Sequence, residues 1–355
     1  MENNKKGITK SFFAAANGYG GFRSYFDTLF DPLKFSSVYI LKGGPGTGKS
    51  SIMKKVLSEF ESLCDNVEAI YCSSDPNSLD GVILEKDDKK VAIIDGTAPH
   101  SVDPKYPGAN DTIINLGEYW DRKILKEKRE LIEKINLSKS VACKTAYKYL
   151  NIAGKITAVC DEIICSVYSK DSTEIEKFKN FTGNNSLKTR LITSYGKGGF
   201  GRIDTFTSLA DSVFYVVGIY GSEYVFMKSL YSALQANGCD MIISPCALDG
   251  DKLDGIFIES EKVAIIAGTP ERSDGYEIID TSKFIDVDRL KNERTRLEFL
   301  WRERESFLWS SADEFKKASD EHFSLEKIYT DAMNFDKLND KYTELNNTIK
   351  KELFP

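Results

Sequence analysis

The sequence predicts an α/β protein built as two tandem units, each a doubly wound parallel sheet carrying a helical arm. Three observations predict it. Apolar, β-branched runs such as Val38–Leu41, Val67–Tyr71 and Val91–Ile94 alternate with helical stretches, the pattern of parallel strands covered on both faces. A glycine-rich segment joins one such strand to an amphipathic helix. Most of this layout then occurs a second time.

The repetition is read from three matches. Gly18-Tyr19-Gly20-Gly21-Phe22 returns as Gly196-Lys197-Gly198-Gly199-Phe200. Leu79-Asp80-Gly81 returns as Leu253-Asp254-Gly255. Lys90–Thr97 returns as Lys262–Thr269. The order is kept, and the separation between partners shrinks steadily from the first match to the third, as small deletions in the second copy would make it do. We place the first copy in residues 1–185 and the second in 186–355, with polar Ser172–Ser186 as the linker.

In order along each copy, a glycine-rich turn comes first. A buried strand follows, Val38–Leu41 and then Val213–Val217, and after it a helix and further strands (Val91–Ile94; Val263–Ile266). Each copy ends in charged helices: Asp121–Ile135 and Ala142–Tyr168 in the first, Asp286–Trp309 and a tail to Leu353 in the second. Their Lys and Glu at helical spacing, such as Lys126 with Glu130, predict solvated faces with weak ion pairs.

Composition narrows the function. The 355 residues hold 48 basic and 54 acidic side chains, a net charge of −6, with 41% hydrophobic and 29% charged residues. A globular chain of about two domains follows, and a nucleic-acid coat, which needs a basic surface, is disfavoured. No apolar run approaches the roughly 20 residues of a membrane span, and Lys5 and Lys6 precede too brief an apolar stretch for a signal peptide. Seven scattered cysteines with no C-x-x-C pair predict reduced thiols and a cytoplasmic location. Two histidines argue against a zinc site.

The strongest local signal is Gly43-Gly44-Pro45-Gly46-Thr47-Gly48-Lys49-Ser50, which satisfies G-x-x-x-x-G-K-[ST]. Glycines let successive N–H groups turn toward one anion, and the following helix adds its positive end. The predicted phosphate contacts run from Gly43 to Ser51, with Lys49 reaching the β- and γ-phosphates and Ser50 the metal. Val91-Ala92-Ile93-Ile94-Asp95 is four apolar residues and an acid, and Asp95 is the expected second Mg²⁺ partner.

These residues resemble the P-loop NTPase superfamily, in detail over residues 37–100. Taken with the duplication, the chain resembles a bacterial family of two-copy P-loop ATP-binding proteins. The resemblance implies ATP and Mg²⁺ as cofactors and an ATP hydrolase. It leaves two alternatives, a small-molecule or nucleotide kinase and a nucleotide-switched module with negligible turnover. ATP is the expected ligand, and a small-molecule phosphoryl acceptor or a protein held by the helical arms is the further partner to seek. Many relatives follow the metal-binding Asp with a second acid, whereas Gly96 stands here. Asp75 or Asp80, in the polar segment Cys72–Asp80, and His100, just past Asp95, are the candidates to orient water or accept a proton. Asp75 is equally suited to a turn, and His100 to a structural role. The second copy reads as degenerate: aligned strand to strand, Glu223, Tyr224 and Val225 stand opposite Gly48, Lys49 and Ser50, Ala267 opposite Asp95, and Arg272, a candidate arginine finger, opposite His100.

Overall fold

The computed structural model describes residues 9–169, 173–271 and 275–355; Lys5, Lys6, Ser172 and Arg272 lie outside them. The architecture is mixed α/β with two six-stranded, mostly parallel sheets. Contacts divide the chain into two compact units. Unit 1 holds residues 1–15, 22–144 and 314–355, and unit 2 holds 16–21 and 145–313.

In the first copy the elements are β1 (Thr9–Phe13), β2 (Ala15–Gly18), β3 (Gly21–Ser24), α1 (Phe26–Leu29), β4 (Ser37–Lys42), α2 (Lys49–Phe60), β5 (Asn66–Tyr71), β6 (Leu79–Lys86), β7 (Lys89–Asp95), β8 (Asp111–Asn115), α3 (Arg122–Glu127) and α4 (Arg129–Val167). The second copy gives β9 (Leu187–Thr189), β10 (Thr193–Gly196), β11 (Gly199–Arg202), α5 (Thr205–Leu209), β12 (Ser212–Val217), α6 (Ser222–Ala236), β13 (Met241–Pro245), β14 (Leu253–Ile258), β15 (Val263–Ala267), β16 (Glu277–Asp280), α7 (Val287–Asp331) and α8 (Phe335–Leu353). The glycine repeats at Gly18–Phe22 and Gly196–Phe200 are the turns of two small hairpins, β2–β3 and β10–β11.

The two large sheets have the same strand order. One runs β1-β5-β6-β7-β4-β8 and the other β9-β13-β14-β15-β12-β16. They depart from the purely parallel expectation in one strand each. β6 runs antiparallel to both β5 and β7, and β14 does the same between β13 and β15. The cause is local. β6 and β7 meet in a tight turn, with Lys86 paired to Lys89 and Asp87 at φ +51°, and a connection this short can only reverse the chain.

Unit 1 packs its sheet against α2 through Ile52, Met53, Val56 and Phe60, which sit 0–3% exposed. Their spacing is the apolar face of a helix. The same core takes in Leu338, Leu345, Ile349 and Leu353 of α8. The helical tail of the second copy thus completes the sheet of the first. Asn334 caps α8 by accepting the Lys337 N–H (3.1 Å). Residues 120 and 333 form a β-bridge beside it.

The arms are longer than their sequence suggests. Residues 129–167 form one helix where two were expected, and α7 continues to Asp331, well past Trp309. Both helices pass from one unit into the other. Part of the expected linker is also structured. Residues 175–178 make a helical turn, and Phe178, 2% exposed, enters the core of unit 2 with Phe214 and Phe226.

If α8 belongs to the core of unit 1, Ile349→Ala is expected to cost about 2–5 kcal/mol, while Lys351→Ala on the exposed face should cost below about 0.5 kcal/mol. Urea denaturation of both variants checks this; equal stabilities would remove α8 from the core.

Candidate functional site

Strand β4 delivers the chain into the loop Gly43–Gly48, and α2 leaves it. Two glycines carry the turn, Gly46 at φ +69° and Gly48 at φ +81°, a region that only glycine enters freely. Gly46 is also close-packed: a Cβ there would lie 2.6 Å from the Glu326 carbonyl oxygen and 2.7 Å from Thr330 Oγ1. The Trp120 ring lies along Gly44 in the same way. Thr47 Oγ1 donates to the Gly44 carbonyl (2.8 Å), tying the loop to itself.

Lys49 and Ser50 open α2. Lys49 Nζ donates to the carbonyls of Gly43 (2.7 Å) and Gly44 (2.9 Å), and lies 3.6 Å from Asp95 Oδ2. Both side chains of that ion pair are nearly buried, at 12% and 13% exposure. Ser50 Oγ accepts the Leu79 N–H (3.0 Å), which leaves the hydroxyl proton and a lone pair for another partner. Asp95, at the end of β7, takes the Thr97 N–H (2.9 Å) and hydroxyl (2.5 Å) on Oδ1.

A second acid faces Asp95, from a strand rather than from the next position in the chain. Gly81 of β6 pairs with Ile94 of β7, so Asp80 stands beside Asp95 at the end of the sheet. Position 96 has no room for an acid: a Cβ on Gly96 would lie 2.4 Å from Ile40 Cγ2. Asp80 is buried, and burial first, then the Asp95 charge, push its carboxyl up to about 8. Lys49 and the Cys72 thiol act the other way.

His100 completes the cluster. It is 8% exposed and stacks on Phe26, centroids 4.3 Å apart and 9° from parallel. Burial and the Lys49 charge hold its imidazole below the usual value, against the pull of Asp95. The Nε2 atom is buried without a hydrogen-bond partner, and Asp80 Oδ2 lies 4.0 Å from it. One donor atom from each of Asp80, Asp95 and His100 falls within 4.8 Å of the others. Asp75 is outside this triad. Its side chain accepts the Asn77 N–H (3.4 Å) and its carbonyl the Ser78 N–H (2.9 Å), the turn that its neighbours favour.

The corresponding place in unit 2 is closed by its own side chains. The buried positions Ile52, Met53, Val56 and Phe60 of α2 are matched, at the same spacing, by Phe226, Met227, Leu230 and Leu234 of α6. Counted from these positions, Glu223 falls opposite Lys49 and Tyr224 opposite Ser50, one place from the strand-to-strand alignment; counted from the left-handed glycines that cap the two helices, Gly48 and Gly221, the shift is two places. Asp254 matches Asp80 and is kept, but Ala267 replaces Asp95. Asp254 accepts from Thr193 Oγ1 (2.5 Å), Tyr224 OH (3.0 Å) and the Ala247 N–H (3.3 Å). Glu223 Oε2 is buried with no partner, and burial raises its carboxyl above the ordinary value.

Unit 1 therefore offers a glycine loop at a helix start, one lysine, one hydroxyl, two carboxylates and one imidazole nitrogen. The oxygen donors suit a hard divalent cation, and the loop with Lys49 suits an anion. Comparison of the chain with protein-family models, curated proteins and solved structures returns no match.

Two outcomes test this description. Gly96→Ala is expected to cost about 1–3 kcal/mol by overpacking, read by denaturant titration; a neutral result would show that the Ile40 contact yields freely. Glu223→Gln tests the closed site of unit 2. A carboxyl with a raised folded-state pKa lends stability below its unfolded value, about 4.3, and loses it as pH climbs through the folded value. Glutamine stays neutral, so its melting temperature should match the parent near about pH 4 and exceed it increasingly as pH rises toward about 8. A constant difference across that range would contradict the burial of an unpaired Glu223.

Proposed function

We propose that unit 1 binds ATP with Mg²⁺ and hydrolyses it, and that unit 2 is a pseudo-site without nucleotide chemistry. The supporting observation is the joint placement of Lys49, Ser50 and Asp95 around the mouth of one glycine loop. Lys49 Nζ rests on two loop carbonyls and lies near Asp95; it is the group to move onto the β- and γ-phosphate oxygens. The loop N–H groups and the start of α2 supply the remaining anion contacts. Ser50 and Asp95 hold the metal. Bound there, Mg²⁺ would neutralise charge building on the phosphate oxygens. Asp80 takes the place of the acid that Gly96 cannot be, orienting the attacking water.

In unit 2 the same positions hold Glu223, Tyr224 and Ala267. A carboxylate replaces the lysine, a phenol already engaged by Asp254 replaces the serine, and the metal acid is missing. The lysine and the metal-binding acid that a bound nucleotide would use are both replaced there.

Calorimetry with Mg²⁺ is expected to give one ATP per chain. Lys49→Ala should lose binding, turnover or both with its fold intact. Asp95→Asn should keep much of the binding and lose turnover by about tenfold or more, or 1.4 kcal/mol in the barrier. Two ATP per chain, or a folded Lys49→Ala protein with normal binding and turnover, would refute the reading.

A further inference from the structure

The imidazole of His100 sits in this site in a way that neither packing nor the nucleotide reading requires. A histidine whose task is to stack on Phe26 would ordinarily bond or expose both ring nitrogens, because a buried polar atom without a partner is costly. His100 Nε2 has neither outlet. The stack on Phe26, with Phe22 at 6.5 Å on a second contact, fixes the ring plane.

The charge around it is also unbalanced. Asp80 and Asp95 stand together, and the cation in contact with Asp95 is Lys49. Ionised, the two carboxylates outnumber it. A cation bound between them offsets that excess negative charge.

We infer that Asp80, Asp95 and His100 Nε2 form a site for a divalent first-row transition ion, from Mn²⁺ to Zn²⁺, that selects against Mg²⁺. This rests on the nucleotide site assigned above and puts a transition ion in place of the Mg²⁺ named there, with Asp80 as a ligand of the ion and not as the acid that orients water. Donors about 2.1 Å from one tetrahedral ion lie about 3.4 Å apart. The three donors lie within 4.8 Å of one another, so ion binding draws them together by up to about 1.4 Å. Mg²⁺ keeps to oxygen ligands and sheds water reluctantly, whereas an imidazole nitrogen favours transition ions. Ser50 remains available as a further oxygen donor.

The test uses the full chain, stripped with a chelator and free of nucleotide, with Mn²⁺ as the probe. Electron paramagnetic resonance counts free Mn²⁺ while Mg²⁺ is titrated in. The expected result is one tightly held Mn²⁺ per chain, with Mg²⁺ needed at on the order of 100-fold excess to displace half of it. His100→Ala should weaken Mn²⁺ by about tenfold or more and Mg²⁺ by less than about twofold. Should that variant fail to fold, pulsed resonance on the parent protein still decides: bound Mn²⁺ should show coupling to an imidazole ¹⁴N. Equal affinity for the two ions, or Mn²⁺ bound with no nitrogen coupling, overturns the inference. ATP binding without Mn²⁺ selectivity would sink this inference alone. Selective Mn²⁺ binding in a chain that takes no ATP would sink the nucleotide reading alone.

Discussion

The candidate site depends on one constraint, the reversal of β6 between β5 and β7. An antiparallel strand begins where its parallel neighbours end, so its first residues lie at the same edge as their last. That geometry sets Asp80, the second residue of β6, against Asp95, the last residue of β7. Two carboxylates at this range in a buried place repel each other, and Lys49 and the raised Asp80 carboxyl are the response among the described residues. The loop, Ser50 and His100 are arranged around that pair. A wholly parallel sheet would have put the start of this strand at the far edge, and the acid with it.

The two units show how one such frame is kept while its polar centre is rewritten. Strand order, the reversed strand and the glycine at the start of the loop persist. In unit 2 the loss of the second carboxylate at Ala267 removes the repulsion. The surviving Asp254 is then satisfied by three protein donors. A hydroxyl, a phenol and a backbone N–H satisfy there a carboxylate whose counterpart in unit 1 keeps a second acid beside it.

Much of this was legible in the sequence. The duplication, the buried strands, the glycine loop and the acid at Asp95 all follow from runs and spacings that short-range chemistry dictates. The direction of β6 was not legible, because Leu79–Leu84 is apolar enough to suit either orientation. Asp80 was named among the candidates, yet its pairing with Asp95 depends on strand register. The alignment opposite Lys49 meets a similar limit: strands fix it up to Gly43, and beyond that the buried face and the capping glycine of α6 give different registers. That α8 serves the first sheet could not be read from an amphipathic tail, since the pattern tells which face is buried and not against what. The unbroken α4 lacks the proline or glycine-asparagine signals that would have marked its true ends.

The long reach of α7 has a consequence for how the chain is made. Strand β8 ends at Asn115 and α8 begins only at Phe335, so the sheet of the first copy leaves the ribosome long before the helix that covers it. At roughly 5–20 residues per second this is a wait on the order of 10–45 s. Through that interval the apolar face that Leu345 and Ile349 later cover is left to α2, whose Ile52, Val56 and Phe60 share the same core. Unit 2 draws on residues 16–21 and 145–313 and can close first, although its copy is the younger in synthesis. The N-terminal sheet is thus the last to be sealed, and in the nascent chain its uncovered face is the natural place for a chaperone to act.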